Sequence, residues 1–260
     1  MPADVGWAGL GLSLVLVVVA VAVSRWRRLG LEATITWAAA RAIGQLLVVG
    51  AALGLVLDPG RPLVWSWLWV VAMFGVAADV VRRRAPEVPG LLLLAGAGFA
   101  ASAAVTLGVI FGLGVFPLEG RTLVPLAGLT VGNTMNATVL VARRVVEELR
   151  DKRAEVEARL ALGQPAPLAA RPYLAAALRT ALIPQIERTK AVGLVALPGA
   201  MTGLILAGVD PLDAVVVQAV VMFLVLGAVA TTTTVVGLGA ARRLFTSDHR
   251  LVALVRPAGG

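Results

Sequence analysis

The chain has 260 residues, of which 59% are apolar and only 15% are charged, and its mean hydropathy is +0.90. This composition excludes an ordinary soluble globular domain and predicts an integral membrane protein. The absence of cysteine excludes disulfides and thiolate metal sites.

Seven stretches with few or no charges are long enough to cross a hydrocarbon core of about 30 Å as helices. In chain order they cover residues 5–24, 31–57, 63–79, 90–116, 122–142, 191–209 and 214–241. The sequence therefore predicts an all-α integral membrane protein with seven transmembrane helices, organised as a single domain over residues 1–260.

The first two spans contain arginines that bear on topology. Arg25, Arg27 and Arg28 follow the first apolar run instead of preceding it, which favours a retained span over a cleaved signal peptide. Arg41 and Gln45 share one face of the second span, and an arginine at a helix centre costs about 2.5–3.5 kcal/mol on insertion scales. We expect Arg41 to snorkel, to pair with a carboxylate or to face the bundle interior.

Span five contains the stretch GNTMNATVL, in which Asn133 and Asn136 lie about one helical turn apart on the same face. Amides in hydrocarbon are costly unless they find a partner. Together with Thr130 they either bond to a neighbouring helix or line a polar path for a solute, and the two roles are compatible.

Residues 143–190 form the one sizeable segment between spans. The pattern of its first half predicts a helix that ends near Gly163, and a second helix follows over 168–182. The segment either joins two spans as a solvated hairpin or docks a cytoplasmic partner. Its phrase EARLALG resembles the Glu-Ala-Ala-x-x-x-Gly signature of ATP-binding cassette (ABC) permeases through Glu157, Ala158 and Gly163.

Span six carries Pro198 and Gly199 in the middle of the apolar stretch LVALPGAMTGLILAG. Proline frees the backbone carbonyls near Leu194 and Val195, and irregular backbone at membrane depth is tolerated where protein or a water-filled cavity covers it. The break is therefore either a packing kink or a hinge beside a transport path.

Span seven contains the run TTTT at residues 231–234. A threonine hydroxyl inside a helix can bond to the carbonyl one turn back. We expect these threonines to be satisfied within their own helix.

Most of the 23 lysines and arginines lie in the segments that follow spans one, three, five and seven. By the positive-inside rule these segments are cytoplasmic, so we expect the N-terminus outside and the C-terminus in the cytoplasm. Residues 143–190 then form a helical cytoplasmic coupling segment between helices five and six. The net charge of +8 reports orientation, and we expect no nucleic acid partner.

Motifs for catalysis are missing from the sequence. It has no G-x-x-x-x-G-K-[ST] loop, no Ser-His-Asp set and no H-E-x-x-H motif. We therefore expect no enzyme and no cofactor in this chain. A secondary transporter coupled to protons or ions ranks low, because Glu32 and Asp79 lie near the ends of their spans.

Three stretches together resemble the FetB family of ABC-type permeases, which is linked to iron export, and also the plant aluminium-sensitive half-size permeases. The stretches are GNTMNATVLVARR, ALIPQIERTKAVGLVALPGAMTGLILAGVDPLDAVVVQAVVMFLV and RRLFTSDHRL. The resemblance implies a permease subunit in the bacterial plasma membrane that forms a homodimer. It also implies two copies of a separately encoded ATPase, which binds the ATP and Mg²⁺.

The resemblance further implies roles for individual residues. The pathway elements are the matching residues of spans five and six, namely Asn133, Thr134, Met135, Asn136, Pro198, Gly199, Met201 and Thr202. The stretch from Glu157 through Ala158 to Gly163 would contact the ATPase.

The implied cargo is iron, but the residues themselves support a bare metal poorly. Amides, hydroxyls and thioethers hold hard metals weakly, so metal ligands stay unassigned. A chelated metal, or an organic solute such as a nucleotide sugar, stays open. So does a membrane scaffold or sensor that moves no solute and recruits a cytoplasmic partner.

Overall fold

The computed structural model describes residues 6–58, 60–193 and 197–252, and over these ranges the chain is helical. The helices are α1 (Trp7–Trp26), α2 (Glu32–Val56), α3 (Val64–Arg84), α4 (Leu91–Gly112), α5 (Gly120–Asp151), α6 (Arg153–Ala161), α7 (Ala166–Ala191), α8 (Gly199–Leu206) and α9 (Pro211–Arg243). The prediction of an all-α protein is confirmed.

Six of these helices, namely α1 to α5 and α9, are long and apolar enough to cross a membrane. This agrees with a multi-pass membrane protein, but the predicted count of seven single-helix spans is not confirmed. Residues 191–209 do not form one helix, because α7 ends at Ala191 and α8 has only 8 residues, about 12 Å of rise. Leu194 and Val195, whose carbonyls we expected to be freed, lie outside the described residues.

The physical reason for the interruption is local backbone conformation. Gly193 has φ +88°, a left-handed value that ends a right-handed helix. Pro198 is extended, with φ −65° and ψ 148°, and its fixed φ lets a new helix begin at Gly199. Of the predicted span 191–209, α8 therefore covers only residues 199–206, while α7 lies almost wholly in the segment that we predicted to be cytoplasmic.

The segment 143–190 is built differently from the predicted pair of helices. Its first part is the end of α5, which continues without a break to Asp151. A turn at Gly163, with φ +83°, then separates α6 from α7. Helix α7 passes through Pro172 and Pro184 and runs on to Ala191, beyond the predicted end at residue 182.

Close packing through small side chains explains why α7 stays helical past Pro172 and Pro184. One face of the helix is buried against α5 and α9, through Ala169, Ala170, Tyr173, Ala177 and Ala181. A proline removes one backbone hydrogen bond, and this close packing holds the helix together around the gap. Helix α7 therefore packs as part of the bundle and does not form half of a solvated hairpin.

Helices α3, α4, α5 and α9 form the core of the bundle, with α7 packed against α5 and α9. Helix α4 approaches α9 closely because Gly98 faces it. A Cβ at Gly98 would lie 2.8 Å from Cγ2 of Val236 and 3.3 Å from Cγ2 of Thr232. Gly239 of α9 makes a similarly close approach to Leu94 of α4.

Two arginines tie helix ends together at one end of this bundle. Arg143 of α5 donates to the carbonyl of Arg84, the last residue of α3, with Nε at 2.7 Å. Arg243, the last residue of α9, donates to the carbonyls of Pro89, at 2.8 Å, and Gly90 just before α4. Guanidinium groups thus bond to the carbonyls of Arg84, at the end of α3, and of Pro89, before α4, which those helices leave without a partner.

The α1–α2 hairpin stands apart from the bundle. Ser24 fixes its turn, because its Oγ donates to Glu32 at 2.9 Å and accepts from the N–H of Leu31 at 3.2 Å. No residue of α2 is buried, and Arg41 and Gln45 are both exposed. Within this single copy, then, the two polar residues do not face the bundle interior, which was one of the arrangements we expected.

The α4–α9 contact can be tested with a matched pair of valine substitutions in α4. We predict that Gly98→Val destabilises the protein by about 1–3 kcal/mol, because the added atoms must displace Val236 or Thr232. Gly108→Val is the matched control, because it makes the same change of helix propensity in α4. A Cβ at Gly108 would have no neighbouring atom within 4 Å, so no clash is expected there. Thermal unfolding in detergent measures both, and equal melting temperatures would contradict the close contact.

Candidate functional site

A polar cavity of about 270 Å³ lies between α5, α7, α8 and α9. Its polar side chains are Asn133, Gln185, Arg188, Thr189 and Gln218, and its apolar ones are Leu129, Val192, Val221, Met222 and Val225. Pro198, Gly199 and Ala200 at the start of α8 complete the lining. No acidic side chain is among these lining residues, so the cavity carries positive charge.

Asn133 is held in this cavity by its own helix. It is half-buried, and its Nδ2 donates to the carbonyl of Leu129 one turn back at 2.8 Å. That bond uses one of the amide's two N–H donors and leaves its carbonyl oxygen and second N–H for other partners. The side chain of Asn133 is therefore held in one orientation while part of its hydrogen-bonding capacity stays unused.

Gln218 of α9 lines the same cavity and carries a buried polar atom without a partner in the described part of the chain. The residue is only 8% exposed, and its Oε1 has no hydrogen-bond partner among the described residues. Leaving such a group unpaired costs about 1–3 kcal/mol. Buried polar groups in native proteins nearly always have a hydrogen-bond partner, so this amide has capacity for one more polar contact.

The end of α7 supplies the charged part of the lining. Arg188 is exposed and forms no ion pair within the described ranges, whereas Glu187 beside it pairs with Lys190 at 2.9 Å. Thr189 donates to the carbonyl of Gln185 at 2.9 Å. The guanidinium of Arg188 is thus the uncompensated charge of the cavity.

The structure brings together three of the residues predicted for the pathway, namely Asn133, Pro198 and Gly199. Asn133 comes from α5, and Pro198 and Gly199 come from the start of α8. Four other polar residues of the lining were not predicted from the sequence, namely Gln185, Arg188, Thr189 and Gln218. A signal for Gln218 was present, because it is a lone amide in the apolar run VVVQAVV.

The other predicted residues of span five lie elsewhere. Thr134 is 1% exposed and donates to the carbonyl of Thr130 at 2.8 Å. Met135 packs against the core. Asn136 is exposed and accepts a bond from Arg84 at 3.3 Å, on a different surface from Asn133.

The two further predicted residues of α8 are half-buried and do not line the cavity. Met201 and Thr202 lie one and two positions beyond Ala200. Thr202 donates to the carbonyl of Pro198 at 3.1 Å, and its backbone N–H bonds to the same carbonyl at 3.0 Å. Thr202 therefore stabilises the start of α8.

The predicted coupling residues Glu157, Ala158 and Gly163 are exposed, on α6 and in the turn after it. Glu157 pairs with Arg153 at 2.6 Å along the helix. Leu162 at the tip of the turn is 82% exposed. This surface is free in the single chain and is suited to contact another protein.

The opposite face of α6 is anchored to α7. Val156 is completely buried, and Glu155 accepts a bond from the hydroxyl of Tyr173 at 3.1 Å. The hydrogen bond from Lys152, and after it that from Tyr173, lower the pKa of Glu155. The stabilisation by this carboxylate is therefore complete above its unfolded pKa and is lost as pH falls through the lowered folded value.

Comparison with known proteins places the chain among membrane proteins. A family model described as "Uncharacterised protein family (UPF0014)" matches residues 7–245. The chain is 39% identical over 202 residues to the UPF0014 membrane protein STAR2 of Oryza sativa subsp. japonica, covering 78% of this chain and 70% of the relative. No solved structure matches.

Two further relatives carry names that bear on function. The Protein ALUMINUM SENSITIVE 3 of Arabidopsis thaliana is 34% identical over 202 residues, covering 78% of this chain and 74% of the relative. The Probable iron export permease protein FetB of Escherichia coli K12 is 30% identical over 225 residues, 86% of each chain. These matches confirm the resemblance inferred from the residues.

Neighbouring positions in α5 test whether the cavity admits water. The chain has no cysteine of its own, so single cysteines can be introduced directly. We predict that Asn133→Cys reacts with a membrane-impermeant thiol reagent, whereas Thr134→Cys does not, because Thr134 is buried in the core. Mass spectrometry of the labelled protein measures both, and equal labelling would contradict the arrangement.

Proposed function

Because the chain belongs to the UPF0014 family, we propose that it is the permease subunit of an ABC exporter in the bacterial plasma membrane, driven by a separate ATPase. The polar cavity between α5, α7, α8 and α9 is the observation that carries this proposal, since it offers a solute a binding place among membrane-spanning helices. The name of the Escherichia coli relative favours a metal such as iron, free or chelated, as cargo. An organic solute such as a nucleotide sugar is the alternative.

Helix α7 supports a mechanism for coupling. It has 26 residues, about 39 Å of rise, and extends from the turn after Gly163 to Gln185 and Arg188 in the cavity. A displacement of α6 would therefore move the cavity lining directly.

The exposed surface of α6 is where we place the ATPase, two copies of which would bind ATP and Mg²⁺. Glu157, Ala158 and Leu162 lie on this surface, while Val156 and Glu155 hold the helix to α7. Closure of the two ATPase copies would push both α6 surfaces and alternate the access of the cavities.

A homodimer accounts for the α1–α2 hairpin. An arginine facing lipid at the centre of a span costs about 2.5–3.5 kcal/mol on insertion scales, and Arg41 is exposed in the middle of α2. A second copy against α2 would cover Arg41 and Gln45 and offer them polar partners. The apolar remainder of α1 and α2 would face lipid.

Orientation follows from the cationic end of the bundle. Arg84, Arg143 and Arg243 meet there, next to the start of α4. The positive-inside rule makes this end cytoplasmic, with the C-terminus on the same side. We propose that α7 and α8 together supply one crossing, which would place the N-terminus outside, as we expected from the sequence.

The proposal predicts ATP-dependent transport. Co-expressed with its cognate ATPase, the chain should co-purify with it. Inverted membrane vesicles should then accumulate cargo, with iron salts, iron chelates and organic solutes offered in turn, only when ATP and Mg²⁺ are present. Absence of both association and ATP dependence would reject an ABC permease and favour a scaffold.

A pair of leucines with similar exposure tests the coupling surface. We predict that Leu162→Asp weakens ATPase binding by about tenfold or more, because it places a charge in the centre of the contact. Leu113→Asp at the opposite end of the bundle, where the leucine is 76% exposed, should leave binding unchanged. Pull-down titration measures both, and equal binding by the two variants would move the docking site elsewhere.

A further inference from the structure

We propose that the cavity binds its solute through an oxyanion, a carboxylate or phosphate group held by Arg188, Gln218 and the first backbone N–H groups of α8. This inference rests on the proposed transport function and names the class of its cargo. Each of the three elements lines the same cavity, and each comes from a different helix.

Arg188 supplies the charge. The described lining contains no carboxylate that would neutralise it, and Glu187 is engaged by Lys190 at 2.9 Å. A guanidinium group is permanently protonated and presents paired N–H donors that match the two oxygens of a carboxylate or phosphate. The cavity thus attracts anions and repels uncomplexed cations.

The start of α8 supplies oriented dipoles. Gly199 and Ala200 are the first residues of this helix, and their N–H groups have no acceptor among the described residues. Pro198 precedes them without a side-chain cap. Unpaired N–H groups and the positive end of the helix dipole favour an anion at this point.

Gln218 supplies the buried polar contact. It is 8% exposed and lines the cavity, and its Oε1 is buried without a hydrogen-bond partner among the described residues. The two ends of an amide are nearly isosteric, so a rotation about its last bond turns the N–H₂ group toward an anion. Asn133 has a second N–H free for the same oxygen atoms.

The volume and donors of the cavity set the class of solute. About 270 Å³ is near the lower end of the roughly 300–1,000 Å³ typical of small-molecule sites. Hard metal ions prefer carboxylate and imidazole ligands. Among the described residues, no three His, Cys, Asp or Glu side chains lie close enough together to hold a metal ion. A metal would therefore cross as an anionic chelate, and an organic solute as a carboxylate or phosphate.

Equilibrium dialysis tests this assignment on the full chain in phosphatidylcholine nanodiscs, without the ATPase. The probes are radiolabelled citrate, inorganic pyrophosphate and Fe²⁺ alone. We expect at least one anion to bind saturably, and Arg188→Gln and Gln218→Leu each to weaken that binding by about tenfold or more. Binding of citrate alone indicates a carboxylate cargo, and binding of pyrophosphate alone a phosphate cargo.

The matched control is Lys190→Gln, which removes a cation two positions away that lies outside the cavity lining and is paired with Glu187. It should retain anion binding.

The assignment is overturned if neither anion binds, if Arg188→Gln and Lys190→Gln bind equally, or if binding of Fe²⁺ alone depends on Arg188. If Gln218→Leu does not fold, the comparison of Arg188→Gln with Lys190→Gln is sufficient, because Arg188 is exposed and its substitution should not disturb folding. If anion binding fails while ATP-driven transport is observed, the exporter function stands and only the cargo class falls.

Discussion

The requirement that backbone polar groups find partners inside a bilayer governs this molecule. Long continuous helices meet it by themselves, and within the described part of the chain six helices are long and apolar enough to do so. The chain departs from that solution between α7 and α8, where Gly193 and Pro198 prevent one continuous helix. The departure occurs beside a polar cavity, which is where a membrane protein can accommodate irregular backbone.

The remaining helices form a frame around this interruption. Helix α4 packs closely on α9 through Gly98, and arginines at one end of the bundle bond to the carbonyls that terminate α3 and precede α4. Helix α7 packs on this frame through alanines, which allow close contact with few interlocking atoms. The same helix connects the exposed α6 surface to Arg188.

The polar groups at depth divide into two kinds by what satisfies them. Thr134 and Thr138 bond to carbonyls one turn back and are buried, so their contribution is to packing. Asn133, Arg188 and Gln218 keep unused hydrogen-bonding capacity and meet at one cavity. The second group has free donors and acceptors that could bind a solute, and its net charge is positive because of Arg188.

Much of the local structure could be predicted because it depends on neighbours in the chain. Apolar length predicted the positions of the long helices. Three threonines of the run behave as expected, since Thr231, Thr233 and Thr234 bond to carbonyls four residues back at 2.7–2.8 Å. The fourth does not, because the buried hydroxyl of Thr232 has no partner among the described residues. Asn133, Pro198 and Gly199 were found because an amide or a proline in an apolar stretch is conspicuous on its own.

The complete site could not be predicted in this way. Residues 186–190, IERTK in sequence, include four charged or polar side chains, and their polarity alone placed them outside the membrane. Packing of α7 along α5 and α9 instead brings Gln185 and Arg188 to the level of Asn133 and Gln218. The sequence by itself determined an all-helical membrane protein with a break at Pro198, because composition and proline chemistry act locally. Only the tertiary structure decided which polar groups share a cavity, because that depends on how far each helix extends beside its neighbours.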